Sequence, residues 1–370
     1  MSIEFIGMIQ PREQSEIHPP RGPSIDLGYL RESAQVAEDG GFDRFLIGWH
    51  ENGPDGLQLA AYAAAHTRRV GFLVAHRPGF QAPTNAARSF ATLDQLSEGR
   101  AAIHVISGGD DTEQHRDGNY LGKDERYERT DEYVGILKSI WTADAPVDHA
   151  GKYYRFEGAS PDVRTHRRPR IPIYFGGASD AAIEVAGKHA DVYALWGETK
   201  QQVTEIIARV RASTARHRGE AAVQAIRFSL SFRPILAPTE AEAWARAERV
   251  LAEINRVRGA AALGPAVRPP QNVGSQRLLA AAALGDRPEG RLYTAIAAAT
   301  GARGNTTALV GTPQQVAEEF LAYHALGVTT FLIRGFDPLE DAIDYGRTLL
   351  PTTRRLIAER GAAVPAVAAE

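Results

Sequence analysis

The stretch IYFGGASDAAIEVAGKHADVYALWGE, residues 173–198, leaves an apolar run through four small residues and enters a helical pattern at once. Two chemistries are open to the turn Gly176, Gly177, Ala178, Ser179. It is either a short way to redirect the chain, or a place where backbone N–H groups at a helix N-terminus approach a phosphate closely. Arginines recur where apolar runs end: Arg77 after 70–76, Arg233 within IRFSLSFRPIL (226–236), and Arg334 in TTFLIRG (329–335), with Phe336 just beyond. Arg12 and Arg303 lie in polar, proline- or glycine-bearing loops. A guanidinium suits planar or tripodal oxyanions better than an ammonium does. His50 and Asn52, in GWHENGPDG, follow another apolar run. A histidine there can move a proton near neutral pH, or be a solvated loop residue. Other chemistries lack their parts. The 11 histidines show no metal-ligand spacing and there is no cysteine, so no metal site is expected. Neither a Gly-x-Ser-x-Gly elbow nor a Gly-Lys-Ser/Thr phosphate loop occurs.

Positioning such residues requires a scaffold, and the hydrophobic pattern supplies one. Strand-like runs at 3–9, 44–47, 70–76, 101–107, 171–175, 191–196, 226–236 and 329–335 alternate with helical patterns. The helices fall at 25–41, 57–66, 83–100, 126–142, 200–218, 239–257 and 339–359, with another directly after the small-residue turn. Eight strands in this alternation predict an α/β fold, a (β/α)8 TIM barrel with its site at the C-terminal strand ends. A doubly wound sheet is disfavoured, because QPREQ follows the first strand where Gly-x-Gly-x-x-Gly would stand. Two segments exceed a minimal barrel. Residues 143–170 contain a hairpin pattern, VDHAGKYYRF, and about 255–305 form the longest insertion, between strands seven and eight, with the length of a lid. The expectation is one barrel over 1–358 and a flexible tail over 359–370.

Composition narrows the function classes. With 44% hydrophobic and 24% charged residues the chain is ordinary globular material. A net charge of −3 without basic runs argues against nucleic acid. No apolar stretch could cross a bilayer and the N-terminus has no signal pattern, so the location expected is cytoplasmic.

Several segments, in order and spacing, resemble the bacterial luciferase superfamily, and within it the two-component, reduced-flavin-dependent alkanesulfonate monooxygenases. They are FLVAHRPGFQAPTNAARSFATLDQLSEGRAAIHVISG, ERYERTDEY, YFGGASDAA, ADVYALWGE, TALVGTPQQVAEEFLAYHALGVTTFLIRGF and LEDAIDYGRTLLP. The resemblance implies a barrel that binds FMN and assembles as a homodimer or homotetramer. It implies that a separate NAD(P)H-dependent flavin reductase supplies reduced FMN, which is used with O2. It assigns the FMN phosphate to Gly176, Gly177, Ala178 and Ser179, with Tyr127 assisting. It sets Ser107 and Gly108 beside the flavin ring, and Ala75 and His76 at a strand end where the family often has a non-prolyl cis peptide. Trp196 matches an active-site tryptophan, and His50 and Asn52 fall among substrate- and flavin-contacting positions.

The substrate half departs from that family. An Arg-x-His pair on strand seven is replaced by Ser231 and Arg233, and a tyrosine after strand eight by Phe336, beside Arg334. Gly53 stands for a cysteine, and a mobile-loop arginine falls at or beside Arg303. The implied reaction is oxygenation of an organosulfonate or related organosulfur compound, releasing sulfite and an aldehyde. Trp196, Arg233, Arg303 and His50 are the catalytic candidates, and Arg12, Arg77, Ser231, Arg334 and Phe336 the substrate contacts. Some of these arginines are expected to be structural, paired with acids such as Glu198 or Asp337. The alternatives are an uncharged carbonyl or heterocyclic substrate, a deazaflavin cofactor, or a non-catalytic flavin-binding barrel.

Overall fold

Strand β1 (Glu4–Ile9) begins a computed structural model that describes residues 3–261 and 270–363. The other barrel strands are β2 (Arg44–Ile47), β3 (Gly71–His76), β4 (Ala101–Val105), β5 (Ile173–Gly176), β6 (Val192–Trp196), β7 (Arg227–Leu236) and β8 (Val328–Ile333). Each pairs in parallel with the next, β8 pairs with β1, and the result is a closed eight-stranded (β/α)8 barrel. Period-two alternation builds two layers from one set of strands. Ile6, Leu73, Ala102, Tyr174 and Val192 point inward, with Leu46 and Leu332 packed against them. Their neighbours Phe5, Phe45, Phe72, Ile103, Phe175, Tyr193 and Phe331 point outward to the helices. The barrel floor is polar: Glu4 accepts from Arg44 Nε at 2.8 Å, and from Tyr174 Oη at 3.2 Å.

The strands match the sequence reading to within about two residues, and the hairpin appears as Val147–Ala150 paired with Arg155–Ala159. Four features differ. A short helix, Asp111–Arg116, follows β4. The strand Ala308–Gly311 and the helix Pro313–Ala325 occupy a segment the pattern reading passed over. The helix expected over 339–359 is split into Pro338–Asp344, a π turn Tyr345–Leu349 and Leu350–Ala363. That last helix also runs five residues into the expected tail, through Ala363; residues 364–370 lie outside the described part.

The 255–305 insertion is largely ordered structure. After the helix Glu240–Ala261 come the helix Val273–Ala282, a two-residue strand Leu292–Tyr293 and the helix Ala295–Thr300. Residues 262–269 lie outside the described part. β7 outruns the barrel, and its last residues pair in parallel with Ala308–Gly311, from Arg233↔Ala308 to Leu236↔Gly311. The insertion is thereby joined to the sheet at its exit.

Candidate active site

The small-residue turn is built as a cradle. Gly177 has φ +132°, and a Cβ there would lie 2.8 Å from Ala182 Cβ and 2.9 Å from Tyr127 Oη, so only glycine fits. Ser179 caps the helix Asp180–His189 and accepts from Ala182 N at 3.3 Å. Tyr127, buried on the helix Lys123–Thr142, reaches the Ser179 hydroxyl from across the turn. Tyr193 Oη donates to the Gly177 carbonyl, turning that acceptor away and leaving N–H groups as the free face of the turn. Burial raises the Tyr127 phenol above its usual pKa, with Ser179 and the nearby Arg126 charge opposing, so it remains an O–H donor at neutral pH.

Next along the mouth, His76 Nε2 lies 2.7 Å from Tyr133 Oη at the end of β3. The peptide before it is trans; among the described residues the cis bond is Arg168–Pro169. Ser107 Oγ lies 3.0 Å from Thr130 Oγ1, and Gly108 takes φ +81°. Inside the barrel His104 sits below Gly176, with its Nδ1 unpartnered. Burial lowers both His76 and His104 from 6.5 to about 4. Each imidazole is neutral in the fold, while the unfolded chain takes up the proton first. Their contribution is whole above pH 6.5 and is lost as pH falls from 6.5 toward 4, by about 1.4 kcal/mol per unit for each histidine. Urea midpoints should therefore drop between pH 7 and 5, and should drop less in His104→Asn; identical pH profiles for the two proteins would refute the assignment.

Arg77 follows β3 and is only 4% exposed. Its guanidinium lies 3.8 Å over the Trp49 ring, which in turn stacks on Phe80 at 5.6 Å. Nη2 donates to Glu113 at 3.0 Å, while Nε and Nη1 are buried without a partner.

The β7–β8 side is held together by ion pairs within the chain. Arg233 is 0% exposed and holds Glu16 in a two-pronged pair, both contacts 2.9 Å. It also donates to the Arg334 and Gly335 carbonyls and lies 3.8 Å over the Phe336 ring. The Arg233 guanidinium is thus braced by Glu16 and two carbonyls, and Phe336, 1% exposed, packs beneath it. Arg334 Nη2 shares the same carboxylate at 2.9 Å. Burial and then the neighbouring Arg233 charge pull Arg334 down to about 10, against the attraction of Glu16. Arg12 donates to the Gly22 and Pro23 carbonyls of its own loop. The acids named from sequence are indeed paired, with other arginines: Glu198 with Arg277, and Asp337 with Arg246. Glu16 carried no sequence signal; it lies in an irregular loop, 217 positions from Arg233.

The insertion lies over the β6 end. Trp196 packs against its Leu278, Ala297 and Ala302, and a Cβ on Gly274 would be 3.0 Å from the indole. Arg277 and Glu198 fasten it with contacts of 2.9, 2.9 and 2.6 Å. At its other side Gln271 accepts from Asp111 N at 3.1 Å, so the insertion spans from β6 to the loop after β4. Ser231 accepts from Asn305 Nδ2 at 2.8 Å, while Arg303 is exposed and pairs with no carboxylate among the described residues. His50 and Asn52 are exposed on the loop after β2.

The arrangement fits FMN on its own features. The Gly177 cradle with Tyr127 and Ser179 offers neutral donors to a phosphate, and buried N–H groups on Arg77 and Gln114 are left without acceptors near the mouth. Among the described residues no group of His, Asp and Glu is placed to hold a metal ion, and no helix is long and apolar enough to cross a membrane. Residues 3–330 match the family model for luciferase-like monooxygenases. Among solved structures, the chain is similar to a riboflavin lyase with modified FMN and riboflavin, at 22% identity and TM-score 0.78, covering 100% of this chain and 94% of that one. It is similar to EDTA monooxygenase from Chelativorans sp. BNC1, at 21% identity and TM-score 0.75, covering 98% and 94%. An F420-dependent secondary alcohol dehydrogenase, in complex with an F420-acetone adduct, matches at 16% identity and TM-score 0.69, covering 95% and 99%. At these identities the likenesses establish the shared barrel.

Proposed function

The chain belongs to the luciferase-like monooxygenase family, and from that premise we propose that it uses reduced FMN, delivered by a separate flavin reductase, with O2 to oxygenate an organosulfonate or related organosulfur compound. Sulfite and an aldehyde are the products, with one O2 consumed, FMN oxidised and water formed. The observation that carries the cofactor reading is the cradle at Gly177, shaped by a backbone angle and a close approach that need glycine. Bound reduced FMN would supply the two electrons that activate O2. The chain's own residues do the rest: Ser179, Tyr127 and the turn's N–H groups hold the phosphate, the insertion and Trp196 exclude water, and Arg77 receives the substrate's oxygens. Of the five arginines offered by the sequence, Arg77 is the one with buried N–H groups still unmet.

One observation favours a second reading. Glu16 cancels much of the Arg233 and Arg334 charge, so the β7–β8 corner is less suited to an anion than the sequence implied. An uncharged substrate, oxygenated at a carbonyl or heterocycle, fits that corner better. The test is sulfite release with reduced FMN supplied by any flavin reductase, across short and long alkanesulfonates, sugar sulfonates and sulfones. Sulfite from one member is the expected result. Silence across the panel from a protein that binds reduced FMN would transfer the assignment to the second reading. Tight binding of deazaflavin in place of FMN would overturn the cofactor.

A further inference from the structure

We propose that Gln114 is a ligand-binding residue, and that with Arg77 it forms a donor-only seat for the acceptor oxygens of a bound molecule. The seat lies under Gly108, where β4 gives way to the helix Asp111–Arg116. Gln114 is 0% exposed, and its Nε2 has no partner.

The orientation of that amide is dictated by its neighbours. Leu121 N at 3.3 Å and Arg129 Nη1 at 3.4 Å both donate to Asn119 Oδ1, which fixes the Asn119 amide. Asn119 Nδ2 then donates to Gln114 Oε1 at 2.6 Å. Flipping Gln114 would set two donors against each other, so its own NH2 must face the seat. There it occupies the space a Cβ at position 108 would fill, and Arg77 Nε is 3.4 Å from that same point. Arg77 is held flat against Trp49 and tethered by Glu113, which leaves Nε and Nη1 fixed and unmet.

Three unmet nitrogens on two buried side chains, all of them donors, are costly unless a partner completes them, because each buried donor left alone costs about 1–3 kcal/mol. The partner must present acceptors and no donors. Carbonyl oxygens and sulfonyl or carboxylate oxygens meet that requirement, and ammonium or hydroxyl-rich groups do not. The seat adjoins Ser107 and Gly108, so its oxygens come either from the carbonyl edge of a flavin or from the substrate. In that sense the inference rests on the proposed flavin monooxygenase and deepens it.

Binding experiments on the purified chain test the seat without turnover. Gln114→Glu keeps the acceptor for Asn119 and replaces the free NH2 by an oxygen, while Arg77→Lys keeps a charge and removes the fixed donors. FMN is titrated by fluorescence quenching, and methanesulfonate by its shift of the thermal midpoint. The expected result is a loss of at least tenfold in affinity for one of the two probes in both variants, with the ratio of FMN to riboflavin affinity unchanged. Loss of FMN assigns the seat to the flavin; loss of methanesulfonate alone assigns it to substrate. Should Gln114→Glu fail to fold, Arg77→Lys carries the same reading. Affinities within twofold of the unaltered protein for both probes would overturn the seat and leave the flavin reading standing. An unaltered protein that takes up neither probe would overturn both.

Discussion

Gly177→Ala should weaken FMN binding by about 10- to 100-fold, equivalent to about 1.4–2.7 kcal/mol, and weaken riboflavin binding far less. The backbone at φ +132° is one that side-chain-bearing residues rarely adopt, which costs about 1–3 kcal/mol in itself. The added methyl would also stand 2.9 Å from Tyr127 Oη and 2.8 Å from Ala182 Cβ, which forces the turn or the tyrosine to shift. Riboflavin lacks the phosphate, so comparing the two ligands separates damage to the cradle from damage to the barrel. Fluorescence titration of both ligands is the measurement. Equal losses for FMN and riboflavin would show that the turn serves the fold and not a phosphate.

Glu16→Gln should destabilise the chain by about 3 kcal/mol or more, because it leaves the Arg233 charge fully buried without its counter-ion. The pH dependence gives a second signature. Burial alone would raise the Glu16 carboxyl, yet Arg233 and Arg334 outweigh it and hold the group well below its usual 4.5. A carboxyl depressed by folding stabilises fully above its unfolded value and loses that contribution as pH falls through and below about 4.5. Urea denaturation of the parent chain from pH 7 to 3 should therefore show an acid limb that Glu16→Gln flattens. The variant should also lose the tether of the loop after β1, since Glu16 joins that loop to two strands on the far side of the closure. An unchanged urea midpoint in Glu16→Gln would sink the idea that this pair braces the barrel.

Much of the barrel was legible because alternating strands and amphipathic helices announce themselves locally. β2 was read residue for residue, and β7 to within one residue at its start. The Asp111–Arg116 helix escaped because six residues carry less than two turns of periodicity. Ala308–Gly311 escaped for another reason: four residues form a strand there because the overhang of β7 offers a partner. The site divided in the same way. The turn at Gly177 was readable, since small residues before a helix are a local signal. The partner of Arg233 was not readable, because alternation places the arginine on a strand but is silent about Glu16, whose position is settled only when β7, β8 and the loop after β1 converge. Gln114 has no local signal at all. A buried glutamine becomes conspicuous only when the orientation of Asn119 shows which end of its amide is left over.

The bridge formed by the insertion has a consequence for how this protein could diversify. The Gly177 cradle and its supports come from β5, β6 and the helix Lys123–Thr142, whereas the Glu16 brace comes from β7, β8 and the loop after β1. The two arcs meet along the pairing of β6 with β7, while the side chains that shape the cradle and those that form the brace touch different partners. The insertion adds a second join, because its Gly274 and Arg277 touch the end of β6 while its exit strand is paired to β7. A lineage exploring new substrates would therefore have to keep the Glu16 pair that braces the barrel, and each change to the bridge would be answerable to both arcs at once.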